Sequence, residues 1–114
     1  MADEIVYVDM ADGLKRVMNN TQLYLKLLDR FKKNTTLNEL EAALTVEDME
    51  KAKDAAHTIK GVAANLSLSE LYKQIQELEI QIKAGTANQA QMETVKTVFA
   101  ATLQEIDKVL SNNE

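Results

Sequence analysis

Apolar side chains recur every three or four residues over most of the chain, in segments separated by short polar stretches. This spacing places the apolar side chains of a segment on one face of an α-helix. It predicts helices at residues 9–19, 21–34, 37–44, 46–66, 68–84 and 87–112. The clearest stripes are Leu23, Leu27, Leu28 and Phe31, with Tyr24, in the second segment, Leu71, Ile75, Leu78 and Ile82 in the fifth, and Met92, Val95, Phe99, Leu103, Ile106 and Leu110 in the sixth.

Capping residues mark the predicted helix starts. In a capping box, a Ser or Thr hydroxyl accepts a hydrogen bond from the backbone N–H three residues further on. Such boxes begin at Thr36, Thr45, Ser67 and Thr86, and each precedes a segment with helical spacing. Gly85 fits the C-cap of the fifth segment.

Composition narrows the fold class to all-α. The 114 residues include no Pro and only three Gly, so the chain has few of the turn residues that strands and hairpins need. Four long helices joined by short connections pack best as an antiparallel, up-and-down four-helix bundle. We therefore expect a single domain over residues 1–114, in which the N-terminal segment and the 37–44 helix cover an end or a flank of the bundle.

Charge and residue usage exclude several classes of function. The net charge is −5, so the chain lacks the basic surface that nucleic-acid binding usually needs. The absence of Cys excludes disulfides, thiol nucleophiles and Cys-based metal sites. No segment is long and apolar enough to span a membrane, and the acidic N-terminus is unlike a signal peptide. We expect a cytoplasmic protein that binds neither nucleic acid nor membranes.

The single histidine, His57, is the one candidate for chemistry. The apolar stripe of its helix consists of Ala52, Ala55, Ile59, Val62 and Leu66. At 100° of rotation per residue, His57 lies about 180° from the centre of this stripe and should point to solvent. A neutral imidazole nitrogen is a competent nucleophile near neutral pH.

Small and basic residues surround His57 on its helix face. Gly61 and Ala64 leave one side of the imidazole open to another protein surface, although a glycine inside a helix costs about 1 kcal/mol relative to alanine. Lys53 and Lys60 place two ammonium groups near the ring, where their charge would hold a phosphoryl group.

The sequence also allows other interpretations of His57 and its neighbours. A lone exposed histidine is often only a surface residue, and Gly61 could mark a close helix–helix contact. Asp54 and His57 resemble half of a carboxylate–histidine metal pair, but a di-iron bundle needs two such pairs that point inward. The chain has no Gly-rich phosphate loop, so we do not expect it to bind ATP as a kinase does.

The run AHTIKGVAANL at residues 56–66 resembles the signature of histidine-containing phosphotransfer (HPt) domains, in which Lys and Gly follow the His at the third and fourth positions. Similarity to the family extends over most of the chain. It includes Val8-Asp9, Gly13-Leu14, the segment from Leu23 to Phe31, and the segment from Leu71 to Glu79.

This resemblance implies a phosphoryl carrier in a His-Asp phosphorelay. In the family, the His accepts the phosphoryl group at Nε2 and exchanges it with an aspartate of a response-regulator receiver domain. His57 would be this phospho-acceptor, Lys60 would assist the phosphoryl group electrostatically, and Gly61 would keep the approach open. The implied partners are a receiver domain and a sensor or hybrid histidine kinase. The receiver supplies Mg²⁺, so we expect a monomer that needs no metal or cofactor of its own and has no kinase or hydrolase activity.

One position departs from the family pattern. The family usually has Gly at the tenth position after the His, where this chain has Ser67, and we expect the Ser67 hydroxyl to cap the following helix.

Leu25 lies about 130° from the stripe of its helix and is the expected docking residue, together with Lys53 and Ala64. Ile80 also lies off its stripe, but a single exposed apolar residue is the expected explanation. The alternative function is a docking module of the same fold that binds a receiver without covalent chemistry.

Overall fold

The computed structural model describes residues 5–113, which form six α-helices and no β-strand. The helices are α1 (Met10–Arg16), α2 (Thr21–Phe31), α3 (Thr36–Thr45), α4 (Met49–Asn65), α5 (Ser69–Ala84) and α6 (Gln89–Asn112). The all-α prediction is confirmed, and each predicted helix is present with its ends shifted by a few residues at most. The predicted domain limits at residues 1 and 114 lie outside the described residues. None of the six helices combines the length and the hydropathy that a bilayer crossing requires.

The helix starts differ from the predicted capping boxes. Asp48 caps α4, since its Oδ1 accepts a hydrogen bond from a backbone N–H of the first turn at 3.2 Å, and Thr45 ends the preceding helix. Asn88 caps α6 in the same way at 2.8 Å, while Thr86 lies in the turn before it. Thr36 is the first residue of α3 rather than its cap. These three capping boxes were wrong. At α4 and α6, Asp48 and Asn88 stand directly before the helix and accept the first-turn N–H groups in place of Thr. At α3 the N-cap is Thr35, which makes no side-chain cap hydrogen bond, and the Thr36 N–H donates to Asn34 Oδ1 at 2.8 Å.

α2 and α3 both lie beside α4. α2 lies against the C-terminal half of α4, where Leu27 shares a groove with Val62 and Leu66. α3 lies against the N-terminal half of α4, and residues 36–46 line a second cavity together with residues 48–58. The short helix, which was expected to cover an end or a flank of the bundle, packs against α4.

α5 and α6 complete the bundle. α5 packs along α4, and α6 packs against α5 and α2. Phe31 of α2 meets Phe99 of α6 with the ring centroids 5.5 Å apart, and Lys32 pairs with Asp107 of α6 at 2.6 Å. Residues 66–68 join α4 to α5 and hold the two helices in an antiparallel hairpin.

The apolar stripes predicted most of the core. The stripe of α5 is buried as predicted: Leu71, Ile75, Leu78 and Ile82. On α4 the buried residues are Ala52, Ala56, Ile59, Ala63 and then Leu66, so Ala55 and Val62 of the predicted stripe are only half-buried. Leu23 was placed in the stripe of α2 but is 41% exposed, because the neighbouring Tyr24 takes the inward position.

Tyr24 of α2 packs against α1 and hydrogen-bonds to the end of α4. Its ring is fully buried, and its hydroxyl donates a hydrogen bond to the carbonyl oxygen of Leu66 at 2.7 Å. Burial, together with the negative charges of Asp9 and Asp12, raises the pKa of Tyr24 to about 12. A Cβ atom on Gly13 would collide with the Tyr24 ring, so only glycine lets α1 approach this closely.

Ser67 occupies the turn between α4 and α5 in a left-handed conformation, with φ 57°. Its hydroxyl donates a hydrogen bond to Asp12 Oδ2 at 2.6 Å, and its carbonyl oxygen accepts one from the Asp9 N–H at 2.9 Å. The N-cap of α5 is Leu68, which provides no side-chain hydrogen bond. The expectation that the Ser67 hydroxyl caps α5 was therefore wrong. A left-handed turn explains why glycine is usual in the family at this position.

Candidate functional site

His57 lies in the middle of α4 with 76% of its side chain exposed. The core-facing residues of α4 are mostly alanines, which let the neighbouring helices pack closely while the opposite face stays at the surface. The exposure agrees with the position of His57 opposite the apolar stripe. Within residues 5–113, no hydrogen bond involves the Nε2 atom of His57. This nitrogen is open to an incoming group.

Glu79 of α5 lies beneath the imidazole. Its side chain is only 5% exposed, and its Oε2 lies 3.5 Å from His57 Nδ1. The other carboxylate oxygen, Oε1, accepts a hydrogen bond from Lys60 Nζ at 2.5 Å. Lys83, one turn further along α5, places its Nζ 3.9 Å from Oε2. One buried carboxylate therefore contacts the histidine and two lysines.

The lysines keep Glu79 ionised. Burial by itself raises the pKa of the carboxyl, but the Lys60 hydrogen bond and the charges of Lys60, Lys83 and His57 outweigh it and hold the pKa of Glu79 below its ordinary value. An ionised carboxylate beside Nδ1 favours the tautomer in which Nδ1 carries the proton. The lone pair then resides on Nε2, the exposed nitrogen.

A shallow cavity of about 410 Å³ opens beside the imidazole. It is lined by Lys53, Asp54, His57, Thr58, Glu79 and Lys83. Lys53 was expected near the ring and lines this cavity. Lys60, the other lysine expected there, does not line it, because its ammonium group turns towards Glu79 and its side chain is only 21% exposed.

Gly61 has no packing role in the described structure. A Cβ atom added to it would meet no atom within 4 Å apart from its own helix backbone and chain neighbours. The interpretation of Gly61 as a close helix–helix contact is therefore wrong. Ala64, seven residues after His57 on the same face of α4, is half-buried beside Asp12 and Ser67. Gly61 and Ala64 therefore place no large side chain on this face of α4.

The α2 residue that faces α4 is Leu27 rather than Leu25. A groove of about 550 Å³ between the two helices is lined by Leu27, Arg30 and Phe31 of α2, by Val62 and Asn65 of α4 with its C-cap Leu66, and by Arg16, Val17 and Asn34. Leu25 is half-buried and does not line this groove. Leu25 lies seven residues before Lys32, which places the two residues on the same side of α2. Lys32 pairs with Asp107 of α6, so Leu25 lies on the side of α2 nearer to α6. Leu25 does not line the cavity beside His57 either.

Two site residues were missed by the sequence reasoning, Glu79 and Lys83. Glu79 lies four residues after Ile75 and three before Ile82, so it falls within the buried stripe of α5. A carboxylate within an apolar stripe is the signal that could have singled it out, because a buried charge needs a partner. Lys83 follows Glu79 by one turn. Ile80, by contrast, is 55% exposed, as expected for a single apolar residue at the surface.

Metal ligands do not converge around the histidine. Among residues 5–113, no group of three or more His, Asp or Glu side chains is placed to hold a metal ion. Asp54 and His57 are therefore not part of a larger ligand set in this region.

The sequence matches the family described as the Hpt domain over residues 27–111, which is most of the chain. The chain therefore belongs to the Hpt family, and it has a phosphotransfer role in a phosphorelay. Members of this family interact with kinases and response regulators.

The fold is also similar to a solved structure, that of histidine-containing phosphotransfer protein B (HptB) from Pseudomonas aeruginosa PAO1. The TM-score is 0.83 at 23% sequence identity, and the match covers 96% of this chain and 98% of that chain. A search of curated proteins returned no match. The structural similarity supports the helical-bundle fold over nearly the full length.

Proposed function

We propose that this protein carries a phosphoryl group on His57 Nε2 and exchanges it with an aspartate of a receiver domain. The observation that supports this most strongly is an exposed imidazole whose Nδ1 lies 3.5 Å from a buried carboxylate. With the proton on Nδ1, the Nε2 lone pair of this exposed ring is available to attack phosphorus. A surface histidine without function would have no reason to lie over a buried charge.

The transfer step follows from this arrangement. Nε2 attacks the phosphorus of an aspartyl phosphate, and the Nε2–P bond forms as the aspartyl O–P bond breaks. The electron pair of the broken bond returns to the aspartate carboxylate. The proton stays on Nδ1, where Glu79 stabilises the positive charge that develops on the ring. Lys60 keeps Glu79 ionised, and Gly61 lets the partner approach.

The docking surface is the exposed face of α4 together with the groove beside α2. Lys53, Gly61 and Ala64 lie on this face, and Leu27 lines the groove. Apolar lining with a polar rim is typical of protein interfaces. A receiver domain that binds here would bring its aspartate and Mg²⁺ to His57. The chain itself then binds no metal or nucleotide, and it acts as a monomer in the cytoplasm.

The direct test is a phosphotransfer assay. The purified protein and its His57→Gln variant are incubated with a phosphorylated receiver domain or an active hybrid kinase. We expect an acid-labile, base-stable label on the native protein and none on the variant. Transfer back to the receiver should require Mg²⁺ and stop when EDTA is added. Receiver binding without any label would support the alternative, a docking module without covalent chemistry.

A further inference from the structure

The positive charges that face the cavity beside His57 come from two lysines, neither of which is Lys60. Lys53 of α4 and Lys83 of α5 both line this cavity. Their side chains are 43% and 59% exposed, so their ammonium groups can move towards a group bound on the ring. Lys60 is oriented differently, since its Nζ is hydrogen-bonded to the buried Oε1 of Glu79.

Lys83 and the imidazole share a contact with the same carboxylate oxygen of Glu79. Lys83 Nζ lies 3.9 Å from Glu79 Oε2, and His57 Nδ1 lies 3.5 Å from the same oxygen. The lysine and the ring thus approach one carboxylate oxygen from the surface, while Lys60 binds the other oxygen. A phosphoryl group on Nε2 adds about two negative charges at neutral pH, which require nearby cations. Asp54 and Glu79 are the acidic residues in the cavity, so the two lysines must also offset their repulsion.

We infer that Lys83 and Lys53 bind the phosphoryl group on His57, and that Lys60 acts indirectly as the positioning partner of Glu79. This inference rests on the proposed function and goes further, since it gives the phosphoryl-binding role to residues outside the His-x-x-Lys-Gly motif. The lysine of that motif supports the carboxylate beneath the ring.

The test uses phosphoramidate, a small donor whose P–N bond breaks with release of ammonia as the Nε2–P bond forms. No partner protein is needed, so effects on docking do not enter. The labelling rate is measured for the native protein and for Lys83→Gln, Lys83→Arg and Lys53→Gln. Lys73→Gln is the matched control, because Lys73 is an exposed lysine of α5 that does not line the cavity.

We expect Lys83→Gln to lower the labelling rate about three- to tenfold, the range for losing a partly exposed charge-assisted contact. Lys83→Arg should restore most of the rate, Lys53→Gln should cause a smaller loss, and Lys73→Gln should cause none. In ³¹P NMR titrations of the labelled protein, Lys83→Gln should raise the pKa of the phosphorylated imidazole, because a neighbouring cation favours the less protonated form. A structural role alone would not move this pKa.

Thermal unfolding separates the roles of the lysines. Lys60→Gln should lower the Tm most, since it removes the hydrogen-bonded partner of a buried carboxylate. Lys83→Gln should lower the Tm less, because Lys83 Nζ lies 3.9 Å from Glu79 and its side chain is 59% exposed. A native labelling rate and an unchanged ³¹P titration in both Lys83→Gln and Lys53→Gln would overturn the inference while leaving His57 as the acceptor. Label that persists in His57→Gln would instead overturn the proposed function itself.

Discussion

Lys60 and Glu79 form a hydrogen-bonded ion pair between α4 and α5, with Lys60 Nζ 2.5 Å from Glu79 Oε1, directly beneath the exposed His57. The carboxylate side chain is 5% exposed and the lysine side chain 21% exposed, so water reaches little of the pair. This contact joins the two helices at the point where the histidine emerges. It gives a fixed negative charge under the ring, which would stabilise the positive charge that the proposed phosphorylation places there.

The ionisation of Glu79 predicts how stability depends on pH. The folded-state pKa of Glu79 is lower than its ordinary value of 4.5, so the carboxylate stabilises the native state above that pH. This contribution is lost as the pH falls from 4.5 through the lower folded pKa. We expect Glu79→Gln to cost roughly 1–3 kcal/mol at neutral pH, typical of a hydrogen bond to a charged group.

Urea unfolding of the native protein and of Glu79→Gln between pH 7 and pH 2.5 measures this effect. The difference in unfolding free energy should shrink as the pH falls through the titration of Glu79. Other carboxyls titrate in both proteins, so only the difference reports on Glu79. A difference that stays constant with pH would show that Glu79 acts through packing and not through its charge.

The left-handed conformation of Ser67 predicts that a Gly variant at this position is more stable than an Ala variant. A left-handed conformation costs a residue with a Cβ atom about 1–2 kcal/mol, whereas glycine adopts it readily. Ser67→Ala loses the hydrogen bond to Asp12 and keeps the strain, while Ser67→Gly loses the hydrogen bond and relieves the strain. We expect the Gly variant to be more stable than the Ala variant by about 1 kcal/mol, opposite to their order inside a helix.

Thermal unfolding of the two variants gives this comparison. The Ser67 hydrogen bond, followed by Arg16, lowers the pKa of Asp12, so either variant should also raise that pKa in an NMR titration. An Ala variant as stable as the Gly variant would argue against a left-handed turn.

Gly61 predicts opposite effects on stability and transfer. Because a Cβ atom meets nothing within 4 Å, Gly61→Ala should stabilise α4 by about 1 kcal/mol, the usual gain in helix propensity. Gly61→Gln should also fold normally and take label from phosphoramidate, but its longer side chain should slow exchange with a receiver at least tenfold. Equal exchange rates for Gly61→Gln and the native protein would mean that the partner does not approach over this residue.

The groove between α2 and α4 predicts different effects at two nearby leucines. Leu27→Gln should weaken receiver binding by about 1–2 kcal/mol, since a groove-lining apolar contact is lost. Leu25→Gln is the matched control on the side of α2 nearer to α6 and should leave the affinity unchanged. Isothermal titration calorimetry with the receiver measures both, and the Tm of each variant checks that it folds. Stronger weakening by Leu25→Gln would restore Leu25 as the docking residue.

Helical periodicity by itself determined the fold class and the position of the histidine. Helix formation follows local spacing, so the six helices, the buried stripe of α5 and the exposure of His57 could all be predicted from the order of residues. The motif around His57 likewise lies within one helix, which is why the sequence was sufficient to identify Lys60 and Gly61 as its neighbours.

The tertiary structure decided what those neighbours contact. Glu79 and Lys83 reach His57 only because α5 packs antiparallel to α4. The spacing of residues within one helix does not give the distance between residues on two different helices. The same applies to Ser67, whose hydroxyl has a partner on α1 instead of on the helix that follows it. Leu27 faces α4 because of how α2 is rotated in the bundle. Long-range packing fixed these contacts, and with them the electrostatics of the site.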